Sequence, residues 1–381
     1  MIAVIADDLT GAAEIGGIGL EHGLKVEIST KVDLASTADL LVINTDSRSK
    51  GEQEAICSVV AASRALKMLN PEFVFKKIDS VLRGHVLHEV EVEAKIWGRS
   101  RAVIIGGNPH LGRTLVNQMY FINGVAVNQT SFAGDPEFPI KSAHVKHMLK
   151  VQADEVTIAK HNETHPVSGV IVGEVETYQD LMSWADALMS TDYLAGSSSF
   201  FSALLQKKFP KGTHEEVAYE VVEPILYISG TTFSANSNKI RNLHNMGGPV
   251  IYMPISIANG YAVTTAEIID WTAKVVELLA QHSKAIIAID QDHNYTLNAM
   301  RLRTNMALAT RKIMEKTSVS ELVIEGGSTA AAVFAELNIS TLVPVQQFGA
   351  GIIRSRARYH QNIHVTLKPG SYPWSEEIWK F

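Results

Sequence analysis

Two adjacent carboxylates, Asp7 and Asp8, follow the apolar run Ile2–Ala6 and precede Thr10 and Gly11. A run of that length reads as a buried strand, and the stretch Ala12–Leu20 as the helix it feeds. Open α/β sheets bind ligands beyond the carboxyl ends of their strands, where the next helix presents free N–H groups. A carboxylate pair there would repel a phosphate. It suits hydroxyl groups, a metal ion, or removal of a proton from an alcohol. Each Asp taken singly is also an ordinary helix N-cap. A second cluster follows the apolar run Phe73–Lys77: Lys77, Asp79, Ser80, Arg83 and Gly84 bring cations, a carboxylate and a hydroxyl to another strand end. Arg and Lys at such a place could bind a substrate carboxylate or a phosphoryl group, Arg with fork geometry. A third run, Ala102–Ile105, opens into a Gly-rich loop that carries Arg113 and Thr114. Three such strand ends in one half of the chain read as one site built from several loops.

The second half has strand-end loops of a different kind. Ser229, Gly230, Thr231 and Thr232 follow the run Ile225–Ser229, and Gly326, Gly327, Ser328, Thr329 and Ala330 lie between Glu325 and the helical run Ala331–Leu337. Glycines let backbone approach a ligand, and hydroxyls with helix N–H groups can bind phosphate oxygens. Neither loop has the Gly-Lys-Ser/Thr of a Walker sequence, and taken alone each reads more readily as an ordinary turn and helix cap.

The segments Ala6-Asp-Asp-Leu-Thr-Gly11, Lys77-Ile-Asp-Ser-Val-Leu-Arg-Gly84 and Asn108-Pro-His-Leu-Gly-Arg-Thr114 together resemble the four-carbon acid sugar kinase family, as do Asn123–Thr130, Asp135-Pro136 and Gly196-Ser197 in order and spacing. The resemblance implies ATP-dependent phosphorylation of threonate, erythronate or 3-oxo-tetronate, with Mg²⁺ accompanying ATP and no metal ligand assigned. It implies Asp8 or Asp79 as the catalytic carboxylate and Asp7, Lys77, Ser80, Arg83, Gly84 and Arg113 around the substrate, with Arg83 or Lys77 at its carboxylate. It places the nucleotide on the two second-half loops and on Gly370, in a closing segment Leu367–Tyr372 that resembles a family loop. Thr231-Thr232 and Gly327–Ala330 depart from the more usual family versions. Those departures leave open a kinase for another small polyol or acid, and a sugar-acid sensor of the same fold without phosphoryl transfer.

These residues need a scaffold, and the pattern supplies one. Apolar runs alternate with helical periodicity: Ile2–Ala6, Val26–Ser29, Leu40–Asn44, Phe73–Lys77 and Ala102–Ile105, then Ile225–Ser229, Val250–Met253, Ala285–Ile289 and Leu322–Glu325. Such alternation predicts an α/β fold of two domains, each a mostly parallel sheet flanked by helices, with the active site in the inter-domain cleft. The polar, Pro- and Gly-broken segment Lys207–Glu216 divides residues 1–215, assigned to the sugar acid, from 216–381, assigned to the nucleotide. At 46% hydrophobic and 19% charged, the 381 residues can bury substantial cores. A net charge of -6 without a dense basic run argues against nucleic acid or anionic membrane as partner, and a homodimer is left open. One cysteine, Cys57, excludes a disulfide framework and is expected in the core of the helix Gly51–Leu69. The chain starts directly on a strand, with no signal-peptide pattern and no membrane-length apolar run, so a cytoplasmic enzyme is expected. The basic cluster Arg354–Arg358 is expected on a solvated face.

Overall fold

The structure, a computed structural model, describes residues 1–135, 138–151, 155–208, 221–230, 234–259, 265–290, 298–349, 351–358, 363–370 and 372–381. Most of the predicted dividing loop, from Phe209 on, and also Pro136, Thr231 and Thr232 lie outside them. The chain forms two compact units, Met1–His214 and Glu215–Phe381.

The first unit runs β1 (Ile2–Ala6), α1 (Leu9–Glu21), β2 (Val26–Ser29), β3 (Leu40–Asn44), α2 (Glu52–Lys67), β4 (Phe73–Lys77), α3 (Val86–Ile96) and β5 (Arg101–Ile105). It continues through β6 (Arg113–Val116), β7 (Met119–Ile122), β8 (Val125–Ala126), α4 (Val145–Met148), β9 (Val156–Ala159), β10 (Gly169–Gly173), α5 (Tyr178–Ala187), β11 (Asp192–Gly196) and α6 (Ser198–Lys208). Its main sheet has the order β2-β3-β1-β4-β11-β5-β10-β9, and every neighbouring pair is parallel. The uninterrupted apolar strands follow from this: a parallel sheet is covered on both faces. From β1 the chain moves to β2 and β3 on one side, then to β4 on the other. That reversal opens a crevice beyond β1 and β4, where α/β folds bind ligands. The β6-β7-β8 meander is a small antiparallel sheet that the apolar pattern does not predict.

Strand alternation sends the consecutive lysines of β4 to opposite faces. Lys77 meets α1. Lys76, fully buried, meets α3, with Nζ 2.5 Å from Glu89 and 3.7 Å from Glu93. One ammonium faces two carboxylates there. Burial pushes the Glu93 carboxyl up to about 8, Lys76 opposing the shift and Glu89 adding to it.

The second unit runs β12 (Ile225–Ser229), α7 (Ser234–Asn245), β13 (Val250–Tyr252), α8 (Ile255–Asn259), α9 (Thr265–His282), β14 (Lys284–Ala288), α10 (Ala299–Met314), β15 (Glu321–Glu325), α11 (Gly327–Leu337), β16 (Thr341–Gln347), β17 (Ile353–Ala357) and β18 (His364–Lys368). The order β13-β14-β12-β15-β18 is parallel, and β17 and β16 extend it antiparallel. Its reversal falls between β12 and β15. Three expectations are corrected. Helix α11 begins at Gly327 rather than Ala331. Cys57 is exposed, on the outer side of α2. Arg354 is fully buried, because β17 is an inner strand, and it donates to Glu321 Oε2 through Nε (3.0 Å) and Nη2 (2.8 Å). Of its cluster, Arg356 is the exposed member.

The Glu93 shift has a sign that can be tested. A carboxyl whose pKa is raised in the folded state contributes stability that is fully present below its unfolded value, near 4.5, and lost as pH rises through about 8. Glu93→Gln does not titrate. The variant should therefore gain stability relative to the parent between pH 5 and 8, measured by urea unfolding across that range. A pH-independent difference would show that Glu93 stays ionised.

Candidate active site

The loops after β3, β1 and β4 leave neighbouring strands. Asp8 is the extended N-cap of α1, and its Oδ1 accepts the Gly11 N–H at 2.8 Å. A Cβ on Gly11 would stand 2.7 Å from that oxygen and 2.8 Å from Lys77 Nζ. Glycine is what lets the ammonium cross the first turn of the helix. Lys77 donates to Ile78 O at 2.8 Å and lies 3.8 Å from Glu14.

Arg48, in the loop after β3, is the centre of the cluster. Nε donates to Asp7 Oδ2 at 2.9 Å, Nη1 to Asp8 Oδ2 at 3.0 Å, and Nη2 lies 3.0 Å from Asp8 Oδ1. Nη1 is also 3.7 Å from Asp79 Oδ1. Burial works against its charge, but Asp7, Asp8 and Asp79 hold its pKa well above that of free arginine. Gly84, at φ +92°, packs over it: a Cβ there would meet Arg48 Cγ at 3.2 Å.

Asp79 ties the turn after β4, accepting the Arg83 N–H at 3.1 Å. The Arg83 fork closes on it, Nε to Oδ2 and Nη2 to Oδ1, both at 2.9 Å, while Nη1 reaches Asp135 Oδ2 at 2.7 Å. Burial opposes ionisation of Asp79, yet Arg83 and Arg48 together hold its carboxyl well below the usual carboxylate range. Asp8 moves the other way. Burial raises it, Arg48 opposes, and the neighbouring Asp7 adds to the rise. Asp7 Oδ1 is buried with no hydrogen-bond partner among the described residues. Beside this group, Arg113 donates to Ser80 Oγ, and the buried Tyr120 hydroxyl donates to Ser80 O. Asp7, Asp8, Lys77, Asp79, Ser80, Arg83, Gly84 and Arg113 thus come together in the first unit.

In the second unit, Gly326 makes the turn out of β15 at φ +100°, and Gly327 is the first helical residue. This corrects the expectation that Gly327 occupies the turn. Ser328 is exposed, and Thr329 and Ala330 are buried. The space above Gly230 is filled by the Thr329 hydroxyl, with which an added Cβ would collide. Beneath the turn, Glu325 accepts from Ser229 Oγ and from Lys368 Nζ, both at 2.6 Å. Burial raises the Glu325 pKa and lowers that of Lys368, and each partner opposes the other's shift. Gly370 O accepts from Asn236 Nδ2 at 2.8 Å. The first-turn N–H groups of α11 lie beside a side-chain-free turn and an exposed hydroxyl, a donor set that fits phosphate oxygens. No group of three or more His, Cys, Asp or Glu side chains among the described residues is arranged around a metal position. The same residues include no helix long and apolar enough to cross a membrane.

Sequence reasoning missed Arg48, Tyr120, Asp135 and Lys368 as site residues. Arg48 had a usable signal, since it follows a correctly predicted buried strand just as Asp8 and Asp79 do. Tyr120 sits in the meander that the pattern did not predict.

Two family models match the chain, a sugar-binding N-terminal domain over residues 2–204 and a nucleotide-binding C-terminal domain over residues 259–372. The chain is 27% identical over 373 residues to D-threonate kinase of Salmonella typhimurium, an alignment spanning 88% of this chain and 86% of that one. It is 30% identical over 158 residues to D-erythronate kinase of Heliobacterium modesticaldum, spanning 40% and 36%. The solved structure of Haemophilus influenzae protein HI1011 has a similar fold, with a TM-score of 0.72 at 20% identity over 98% of each chain.

Removing the shared cation should be costly. Arg48→Met leaves Asp7, Asp8 and Asp79 without it and should destabilise the protein by about 3–5 kcal/mol, the range for breaking a buried ion pair from one side. Arg48→Lys keeps the charge, loses the fork, and should fall in between. Denaturant unfolding measures both. A loss under about 1 kcal/mol for the Met variant would show that the carboxylates do not depend on Arg48.

Proposed function

The chain belongs to the four-carbon acid sugar kinase family, and from that premise we propose that it transfers the γ-phosphoryl group of ATP to a hydroxyl of threonate, erythronate or 3-oxo-tetronate. The first unit binds the acid and the second the nucleotide. The observation that carries this reading is the contrast between the two switch points. One gathers carboxylates suited to hydroxyl groups, within the stretch matched by the sugar-binding model. The other presents glycine, hydroxyl and helix N–H groups on β15 and α11, within the stretch matched by the nucleotide-binding model.

Phosphoryl transfer asks a protein chiefly for positioning and charge compensation. We assign Asp8 to orient the attacking hydroxyl and accept its proton. Its upward-shifted carboxyl is the better base of the two candidates. Asp79, gripped by the Arg83 fork and held ionised, is a weak proton acceptor and serves as an anchor. The unpaired Asp7 Oδ1 is suited to accept a second substrate hydroxyl. Gly326, Gly327, Ser328 and Thr329 would hold ATP phosphate oxygens, with Gly370 nearby on the loop after β18. Lys368 is committed to Glu325 and supports the turn from below. Mg²⁺ bound to ATP would supply charge neutralisation at the phosphates.

A screen of C4 sugar acids with ATP and Mg²⁺, following ADP release, tests the activity. Absence of turnover with every acid, in folded protein that binds ATP, would reject it. Asp8→Asn keeps a good N-cap and should retain its melting temperature while losing about 10²–10⁴-fold in kcat/KM. Asp79→Asn, which takes from Arg83 the carboxylate its fork closes on and leaves it Asp135 alone, should lower the melting temperature as well. Near-native turnover in Asp8→Asn would remove it as the base. For the nucleotide loop, Gly230→Ala pushes against Thr329 and should weaken ATP binding by about tenfold or more, leaving sugar-acid binding unchanged. Calorimetry with each ligand alone separates these, and unaltered ATP affinity would take this loop out of the nucleotide site.

A further inference from the structure

Each arginine and lysine of the first-unit site can be asked what already neutralises it. Arg48 is shared by Asp7, Asp8 and Asp79. Arg83 has two oxygens of Asp79 and one of Asp135. Lys77 has Ile78 O and Glu14. Arg113 differs: among the described residues no carboxylate lies at ion-pair distance from it, Asp79 feeling its charge from farther off, and its direct contacts are the Ser80 hydroxyl on Nη1 and the Phe132 ring, 5.7 Å from its guanidinium carbon. Ring and hydroxyl fix the plane of the guanidinium without using up its fork. The base of this arrangement is rigid. Arg113 exchanges backbone hydrogen bonds with Asn108, at 2.8 and 3.0 Å, in the loop after β5. Ser80 is fixed by the Tyr120 hydroxyl on its carbonyl.

A half-buried, oriented guanidinium with no carboxylate at ion-pair distance, beside a buried hydroxyl, is a receptor for a planar carboxylate. We propose that Arg113, with Ser80, binds the carboxylate of the sugar acid and is what distinguishes the acid from the corresponding neutral polyol. Arg83 and Lys77 then hold the site together instead of reading the substrate. The assignment rests on the sugar-acid kinase reading, which it makes specific.

Calorimetry on the full chain tests it without turnover, using threonate and erythronate against the neutral threitol and erythritol. The parent should prefer the acids. Arg113→Met should lose about 10²-fold in acid affinity with polyol binding unchanged, so that the preference collapses. Arg113→Lys, a point charge without the fork, should lose about tenfold. Should the Met variant fail to fold, the Lys variant decides, since it keeps the charge and the stem. A parent that binds none of the acids overturns the kinase reading and this site with it. A parent that prefers the acids, with variants that keep the preference, overturns Arg113 alone.

Discussion

Carboxylates gathered at adjacent strand ends repel one another and lose water, so they hold together only around a buried cation. Arg48 is that cation, and much of the first-unit site is arranged around it. Its planar fork reaches Asp7 and Asp8 at hydrogen-bonding distance while still facing Asp79, which a single ammonium could not do. Gly84 is bare because Arg48 lies under it, and Gly11 is bare because Lys77 passes the start of α1. The balance is uneven: four cations, Arg48, Lys77, Arg83 and Arg113, stand among five carboxylates, Asp7, Asp8, Glu14, Asp79 and Asp135, and the first three cations take up all the ion pairs at contact distance. Within that uneven field one carboxylate, Asp8, sits above its normal pKa while Asp79 sits far below.

The two units answer the same topological problem with opposite chemistry. In each, the strand order reverses beside the first strand of the unit, and the crevice there collects polar loops. In the first unit the loops carry long charged side chains that compensate one another. In the second the turn after β15 is nearly free of side chains, and its charges are withdrawn beneath it, where Glu325, Lys368 and Ser229 form a closed group. A ligand bearing its own dense negative charge is better met by backbone N–H groups than by carboxylates, and a polyol by the reverse.

The parallel cores were legible because strands buried on both faces are continuous apolar runs: β1 to β4, β12 and β15 fall where hydropathy put them. The antiparallel pieces were not. The β6-β7-β8 meander, β16 and β17 mix polar and apolar residues, and β18, His364–Lys368, parallel to β15 and antiparallel to β17, looks like neither a buried strand nor a turn until β15 pairs with it. The start of α11 was misplaced because Gly327 lowers helix propensity, whereas the helix takes its first turn from packing against Gly230. At the site, residue types beside a predicted strand pointed to Asp7, Asp8 and Asp79. Arg48 obeys the same rule, but its importance comes from β3 lying directly beside β1, and strand order is not written in any one segment.

Burial of an arginine is thus no guide to its role until its partners are counted. Arg101 and Arg354 are buried and each meets one carboxylate of the sheet, Asp192 through two bonds of 2.6 Å and Glu321 at 2.8 Å, far along the strands from the loops. These are structural pairs, costly to break and close to neutral to have formed. Arg48 and Arg83 use the same bidentate chemistry at the strand ends, where the carboxylates they hold also face the crevice. Arg113 reaches that region with no carboxylate at ion-pair distance among the described residues, Asp79 lying farther off. Under the carboxylate assignment proposed for Arg113, the gradient from closed pairs inside the sheet to a fork without a carboxylate at contact distance would be the physical form of specificity for an acid.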